Sequence, residues 1–151
     1  MNIHSVINRI VPFFRKKRMA KFMDTFHATT ETRILDVGGD AFNWDLIKRK
    51  SKITILNLSK PKEMLSSHEN YDFVVGDSTA LLYEDNSFDI AYSNSVIEHL
   101  HTYERHKLFA SELNRVSKKL WVQTPARSFF IEPHLITPFV HYFQKIGNVI
   151  Y

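Results

Sequence analysis

The sequence predicts an α/β fold: a parallel sheet of about five strands flanked by helices, behind an N-terminal helical extension. Three observations carry this. Short, almost wholly apolar runs recur from residue 34 onward, as expected of strands covered on both faces. They alternate with segments of helical periodicity, the mark of βαβ units. The first run, in "TRILDVGGDAFNWDLI" (32–47), leads into a glycine turn and then a helix pattern.

Residues 2–28 read as helical, interrupted near Pro12. Apolar residues recur at Val6, Ile7, Ile10 and Val11, then at Phe13, Phe14, Met19, Phe22, Met23 and Phe26, with basic residues between them. We read the segment as a pair of helices packed over the core or closing it as a lid. Peripheral contact with a membrane surface, or with a polyanion, is the alternative. The first strand is expected at 34–37, then a helix at 42–50 with Trp44 and Ile47 facing inward. A second strand is expected at 53–58. Ser59 can cap a short helix containing Met64 and Leu65. The third strand, 73–75, stops at Gly76-Asp77, and the fourth is 88–93. Residues 103–117 read as a helix, since Phe109, Leu113 and Val116 fall at i, i+4 and i+7. The fifth strand is 120–123, ended by Thr124-Pro125, and 135–146 reads as helical. No repeat, low-complexity tract or linker interrupts the chain. One domain over 31–151 is expected behind an extension at 1–30.

The chain has 151 residues, enough for one domain with a real core. It has no cysteine, so disulfides and thiolate chemistry are excluded, and a cytoplasmic location is expected. No apolar stretch reaches the roughly 20 residues of a membrane span. "NIHSVINRIVPFF" lacks the pattern of a signal peptide. The net charge of +4 is mostly local, with Arg15, Lys16, Lys17, Arg18 and Lys21 in one cluster and Lys48, Arg49, Lys50 and Lys52 in another. Such runs can attract nucleic acid or anionic lipid. We read them first as solvated helix faces.

In sheets of this kind ligands bind outside the carboxyl ends of the strands. After strand one, Gly38 and Gly39 let a ligand approach the backbone, and Asp36 can orient the turn. Asp40 lies in the turn, where a carboxylate opposes a pyrophosphate and suits a ligand with an amine. Asn57 follows strand two, 21 positions beyond Asp36, where dinucleotide folds place an acid on the ribose. Asp77 follows strand three and can accept from an amino group. Ser93, Asn94 and Ser95 end strand four, followed by Glu98 and His99.

Together "ILDVGG", "VVGDSTALLYEDNSFDIAYSNSVIEHL" and "ELNRVSKKLWVQTP" resemble the class I S-adenosylmethionine-dependent methyltransferases, over about residues 32 to 125. The resemblance implies a Rossmann-like sheet and S-adenosylmethionine as cofactor. It implies that Asp36, Gly38 and Gly39 lie against the methionine part and that Asn57 faces the ribose hydroxyls. Asp77 with Ser78 would face the adenine, and Asn94 and Ser95 would line the cleft near the methyl group. The sequence departs from the family loop, acid-x-Gly-x-Gly-x-Gly, where Asp40 and Phe42 replace the later glycines. It also stops before the family's last two strands, so the domain reads as C-terminally short. Strand five then forms an open apolar edge, to be covered by the tail, by a second copy in a homo-oligomer, or by missing sequence.

Methyl transfer from a sulfonium needs mainly positioning and exclusion of water. In "FFIEPHLITPFVHYF" (129–143), His134 is the candidate general base; the alternative is that it and Glu132 fix the loop. Glu98, His99, His101 and His106 match no metal motif, and no metal is expected. The function expected is methyl transfer to a small-molecule acceptor. One alternative is a non-catalytic relic or fragment acting as a partner-binding subunit. The other is a basic protein binding nucleic acid or a membrane surface. A nicotinamide dehydrogenase lacks its three-glycine fingerprint here.

Overall fold

The computed structural model describes residues 3–47, 51–59, 71–124, 131–132 and 137–138. In chain order these form α1 (Ile3–Phe26), β1 (Arg33–Val37), α2 (Ala41–Asp45), β2 (Lys52–Asn57), β3 (Tyr71–Val75), β4 (Ile90–Asn94), a single 3₁₀ turn (Ile97–His99), α3 (Tyr103–Val116), β5 (Leu120–Gln123), β6 (Ile131–Glu132) and β7 (Thr137–Pro138).

The first five strands make one all-parallel sheet in the order β3-β2-β1-β4-β5. This is the expected Rossmann-like sheet. The chain reverses its direction of travel across the sheet between β1 and β4, so a crevice opens there at the carboxyl ends. Four of the five residues of β1 and of β4 are buried, as befits central strands covered on both faces.

Two apolar layers cover the sheet. On one face Met19 and Phe22 of α1 pack with Ile34, Ile53, Ile55, Ile90, Tyr92 and Trp44. The rings of Phe22, Trp44 and Tyr92 meet edge to face, with centroids 5.1–5.8 Å apart. Each such pair contributes about 1 kcal/mol beyond its area. On the other face Phe109, Leu113 and Val116 of α3 pack against Leu35, Val37, Leu56 and Ala91. Thr102 caps α3 by accepting from the backbone N–H of Arg105.

The structure corrects the expected elements in three places. α1 runs through Pro12 without a break. An interior proline costs a helix about 3 kcal/mol; burial of Met19 and Phe22 on the sheet offsets this in the second half of the helix. The C-terminal helix expected at 135–146 is not found at Thr137–Pro138, which pairs antiparallel with Ile131–Glu132. The helix expected at 42–50 is shorter: α2 ends at Asp45, where Ile47 N–H donates to Trp44 O at 3.2 Å and closes the last turn by an i to i−3 bond. Residues 48–50 lie outside the described residues, as do the rest of 135–146 and the turn of helix at Met64 and Leu65. Among the described residues nothing pairs with the outer edge of β5, where Leu120 and Val122 are exposed.

Candidate functional site

The cleft follows from the strand ends. Each backbone ladder is carried one residue past its strand. Gly38 N–H donates to Leu56 O at 2.8 Å, Gly76 N–H to Asn57 O at 2.9 Å, and Ser95 N–H to Gln123 O at 2.9 Å. Gly38 then turns at φ +73° and Ser95 at φ +60°, which directs both segments away from the sheet. Between them lies a cavity of about 760 Å³. Its walls come from Val37 to Gly39, Leu56 to Ser59, Gly76 to Ser78, Ser95 and Val96, and from His99, Leu100, His101 and Arg105.

The glycine turn is closed from both sides. A Cβ on Gly38 would run into Val96 Cγ2, and one on Gly39 into the Asp36 carboxylate. Asp36 is fully buried beneath the turn. Its Oδ2 accepts from Trp44 Nε1 at 2.6 Å, and its Oδ1 has no partner. Burial pushes its pKa up to about 7, against the lowering effect of the Trp44 bond and with a smaller push from the charge of Asp40. Asp36 therefore supports the cleft from below rather than lining it.

Asp40, where the family loop has a glycine, is the N-cap of α2 and accepts from Asn43 N–H at 3.2 Å. The substitution exchanges backbone freedom for a capped helix start. Asn57 lines the cleft and donates through Nδ2 to Gly39 O at 3.0 Å, tying the end of β2 to the turn after β1. Its Oδ1 can accept from a hydroxyl.

Asp77 is held on several sides. Its Oδ1 accepts from Thr79 N–H at 2.9 Å and from Thr79 Oγ1 at 2.7 Å. Arg105 Nη2 donates to both oxygens, at 3.2 and 3.0 Å. The Thr79 bonds, then Arg105, hold its carboxyl below the usual range. The loop that follows is pinned by Arg115, which donates to Leu81 O and Tyr83 O and pairs with Glu112 and Asp85. Ser78 is buried and lines the cleft.

Of the residues expected at the site, Gly38, Gly39, Asn57, Asp77, Ser78 and Ser95 share the cleft. Asp36 lies under it. Asn94, half-buried, ends β4 opposite Gln123 and does not line the cavity. His134 lies outside the described residues. Glu98 turns to Thr124 Oγ1 at 3.2 Å. Among the described residues no three His, Asp or Glu side chains gather as a metal site. Sequence reasoning missed Val96 and Arg105, and read His101 only against a metal site. An arginine in the first turn after a strand-four loop was the available signal for Arg105.

The methyltransferase domain family matches residues 35–120. Among solved structures the fold resembles the 4+2 cyclase SpnF, at 22% identity and a TM-score of 0.59, over 71% of this chain and 43% of that one. It resembles a SAM-dependent methyltransferase from Methanosarcina mazei at 17% identity and 0.54, over 67% and 55%. It also resembles the 1,6-didemethyltoxoflavin-N1-methyltransferase of Burkholderia thailandensis, which carries S-adenosylhomocysteine, at 15% and 0.54, over 68% and 47%. The chain spans about half the length of these structures. No curated protein matches the sequence.

Proposed function

Because this chain belongs to the methyltransferase domain family, we propose that it transfers a methyl group from S-adenosylmethionine to a small-molecule acceptor. The observation that carries the reading is the cleft itself. Three strand ends deliver a glycine turn, an amide and a carboxylate to one cavity, at the point where the sheet order reverses.

The residues fit such a cofactor. The two glycines keep side chains out of the turn, and the orphaned Asp36 Oδ1 sits directly beneath it. Bound there, the cofactor supplies an electrophilic methyl group on a sulfonium. The chain's own residues bind and orient. Gly38 and Gly39 offer backbone against the methionine part. Asn57 Oδ1 accepts from a ribose hydroxyl while Nδ2 keeps its bond to Gly39. Asp77, with Ser78 beside it, accepts from the adenine amino group while Thr79 fixes its position. Ser95 and Val96 would border the methyl end of the cofactor, and apolar Leu56 and Leu100 in the same lining would help exclude water.

Calorimetric titration with S-adenosylhomocysteine tests this, with NAD as control. Micromolar binding of the first alone is expected. A folded sample that binds neither refutes the reading.

A further inference from the structure

From Phe13 onward α1 presents two opposed faces. Met19 and Phe22 are fully buried against the sheet. On the other side Phe13 and Phe14 are 65% and 62% exposed, with ring centroids 5.8 Å apart. Lys17 stands four residues after Phe13 and three after Phe14, and Lys21 follows one turn later. These spacings put all four residues on one outward strip. Lys16, Lys17 and Lys21 are exposed. Over residues 1–23 the sequence holds six Arg or Lys and no Asp or Glu; the first acid is Asp24.

Two large aromatic rings in water beside a one-signed charge strip have no use in the sheet. An isolated exposed phenylalanine needs no explanation, but an adjacent pair flanked by lysines matches the chemistry of an anionic lipid surface. Rings enter the acyl boundary while ammonium groups meet phosphates at headgroup level. The sequence upstream keeps the same spacing, with Val6 and Ile10 at seven and three positions before Phe13. No described helix is long and apolar enough to cross a membrane; a strip of rings and lysines along one side of α1 suits a helix lying in the plane of a lipid surface. A nucleic acid would satisfy the lysines and leave the rings in water.

We propose that α1 docks the protein on anionic lipid through Phe13, Phe14, Lys17 and Lys21, while its opposite face remains on the sheet. The test is flotation of the full chain with unilamellar vesicles. One set is phosphatidylcholine alone and the other is equal parts phosphatidylcholine and phosphatidylglycerol. Binding only to the anionic set, falling as salt rises, is expected. Lys17→Gln with Lys21→Gln should weaken it about 25-fold, taking about five-fold per surface charge. Phe13→Ser with Phe14→Ser should weaken it on the order of tenfold or more. No binding to the anionic set, or equal binding to both, overturns the proposal on the unmodified chain alone. So does tight binding to a DNA duplex that the serine pair leaves unchanged while vesicle binding is absent.

Discussion

The indole N–H of Trp44 donates to the buried carboxylate of Asp36 at 2.6 Å, joining α2 to the end of β1 inside the core. This bond holds the carboxylate under the glycine turn. Trp44→Phe keeps an aromatic ring among Phe22 and Tyr92 but leaves Asp36 without its donor. A loss of about 2 kcal/mol is expected in urea denaturation. An unchanged midpoint would mean that the indole bond contributes nothing.

Asp36 also sets a pH dependence. Burial raises its pKa from the ordinary 3.8 to about 7 in the fold. Between these values the folded chain keeps a proton that the unfolded chain has released. Its contribution to stability is therefore full below about pH 4 and is lost as pH rises through about 7. Asp77, Asp89 and Glu112 have lowered pKa values and act in the opposite sense, losing their contributions as pH falls. Asp36→Asn should be more stable than the parent near pH 8, by at most roughly 4 kcal/mol. The gap should close toward about pH 4. A difference that does not vary with pH refutes the assignment.

Gly38 combines a left-handed backbone with contact against Val96. Gly38→Ala should cost roughly 3 kcal/mol, part from φ and part from overpacking. In a Val96→Ala background the steric share should disappear and the backbone share remain. A double-mutant cycle in chemical denaturation separates the two. A coupling near zero would show that Val96 yields freely.

The Asp77–Arg105 pair is well exposed, at 40% and 43% of the side chains. Asp77→Asn should therefore change stability by less than about 1 kcal/mol. In titration it should weaken S-adenosylhomocysteine about tenfold, by removing a charged acceptor. Arg105→Gln leaves the Thr79 bonds in place and should weaken it less. Equal effects from both would make the ion pair, rather than the carboxylate, the binding element.

The sheet was legible because each strand is a short apolar run ended by a polar or glycine turn. The bounds expected for β5, and the burial of Trp44, agree with the structure. The start of β3 was hidden because its outer residues alternate between buried and exposed. Pro12 misled for another reason: local propensity does not register the burial of Met19 and Phe22, which carries the helix onward. The lining of the cleft was legible where it follows from backbone position at a strand end, as at Gly38, Asn57 and Asp77. Asp40 was legible as a carboxylate but not as a cap, since its partner is a backbone N–H set by the turn. The depth of Asp36 was equally hidden, because one residue past a strand's midpoint can face the core or the cleft. The left-handed turns at Ser95 and His101 carry no sequence signal, as neither is glycine.

The seam between β1 and β4 has a consequence for the order of assembly. Ser93 Oγ donates to Val37 O across 56 positions of chain, whereas Val37 pairs with Leu56 across a crossover about a third as long. Closing the longer loop costs about 1 kcal/mol more in chain entropy. Loop closure alone thus favours the β1–β2–β3 half forming ahead of the β1–β4 pairing. The cleft lies across that seam. The first half supplies the glycine turn, Asn57 and Asp77, and the second supplies Ser95, Val96 and Arg105; a ligand that touches both walls therefore acts as a brake on their reopening.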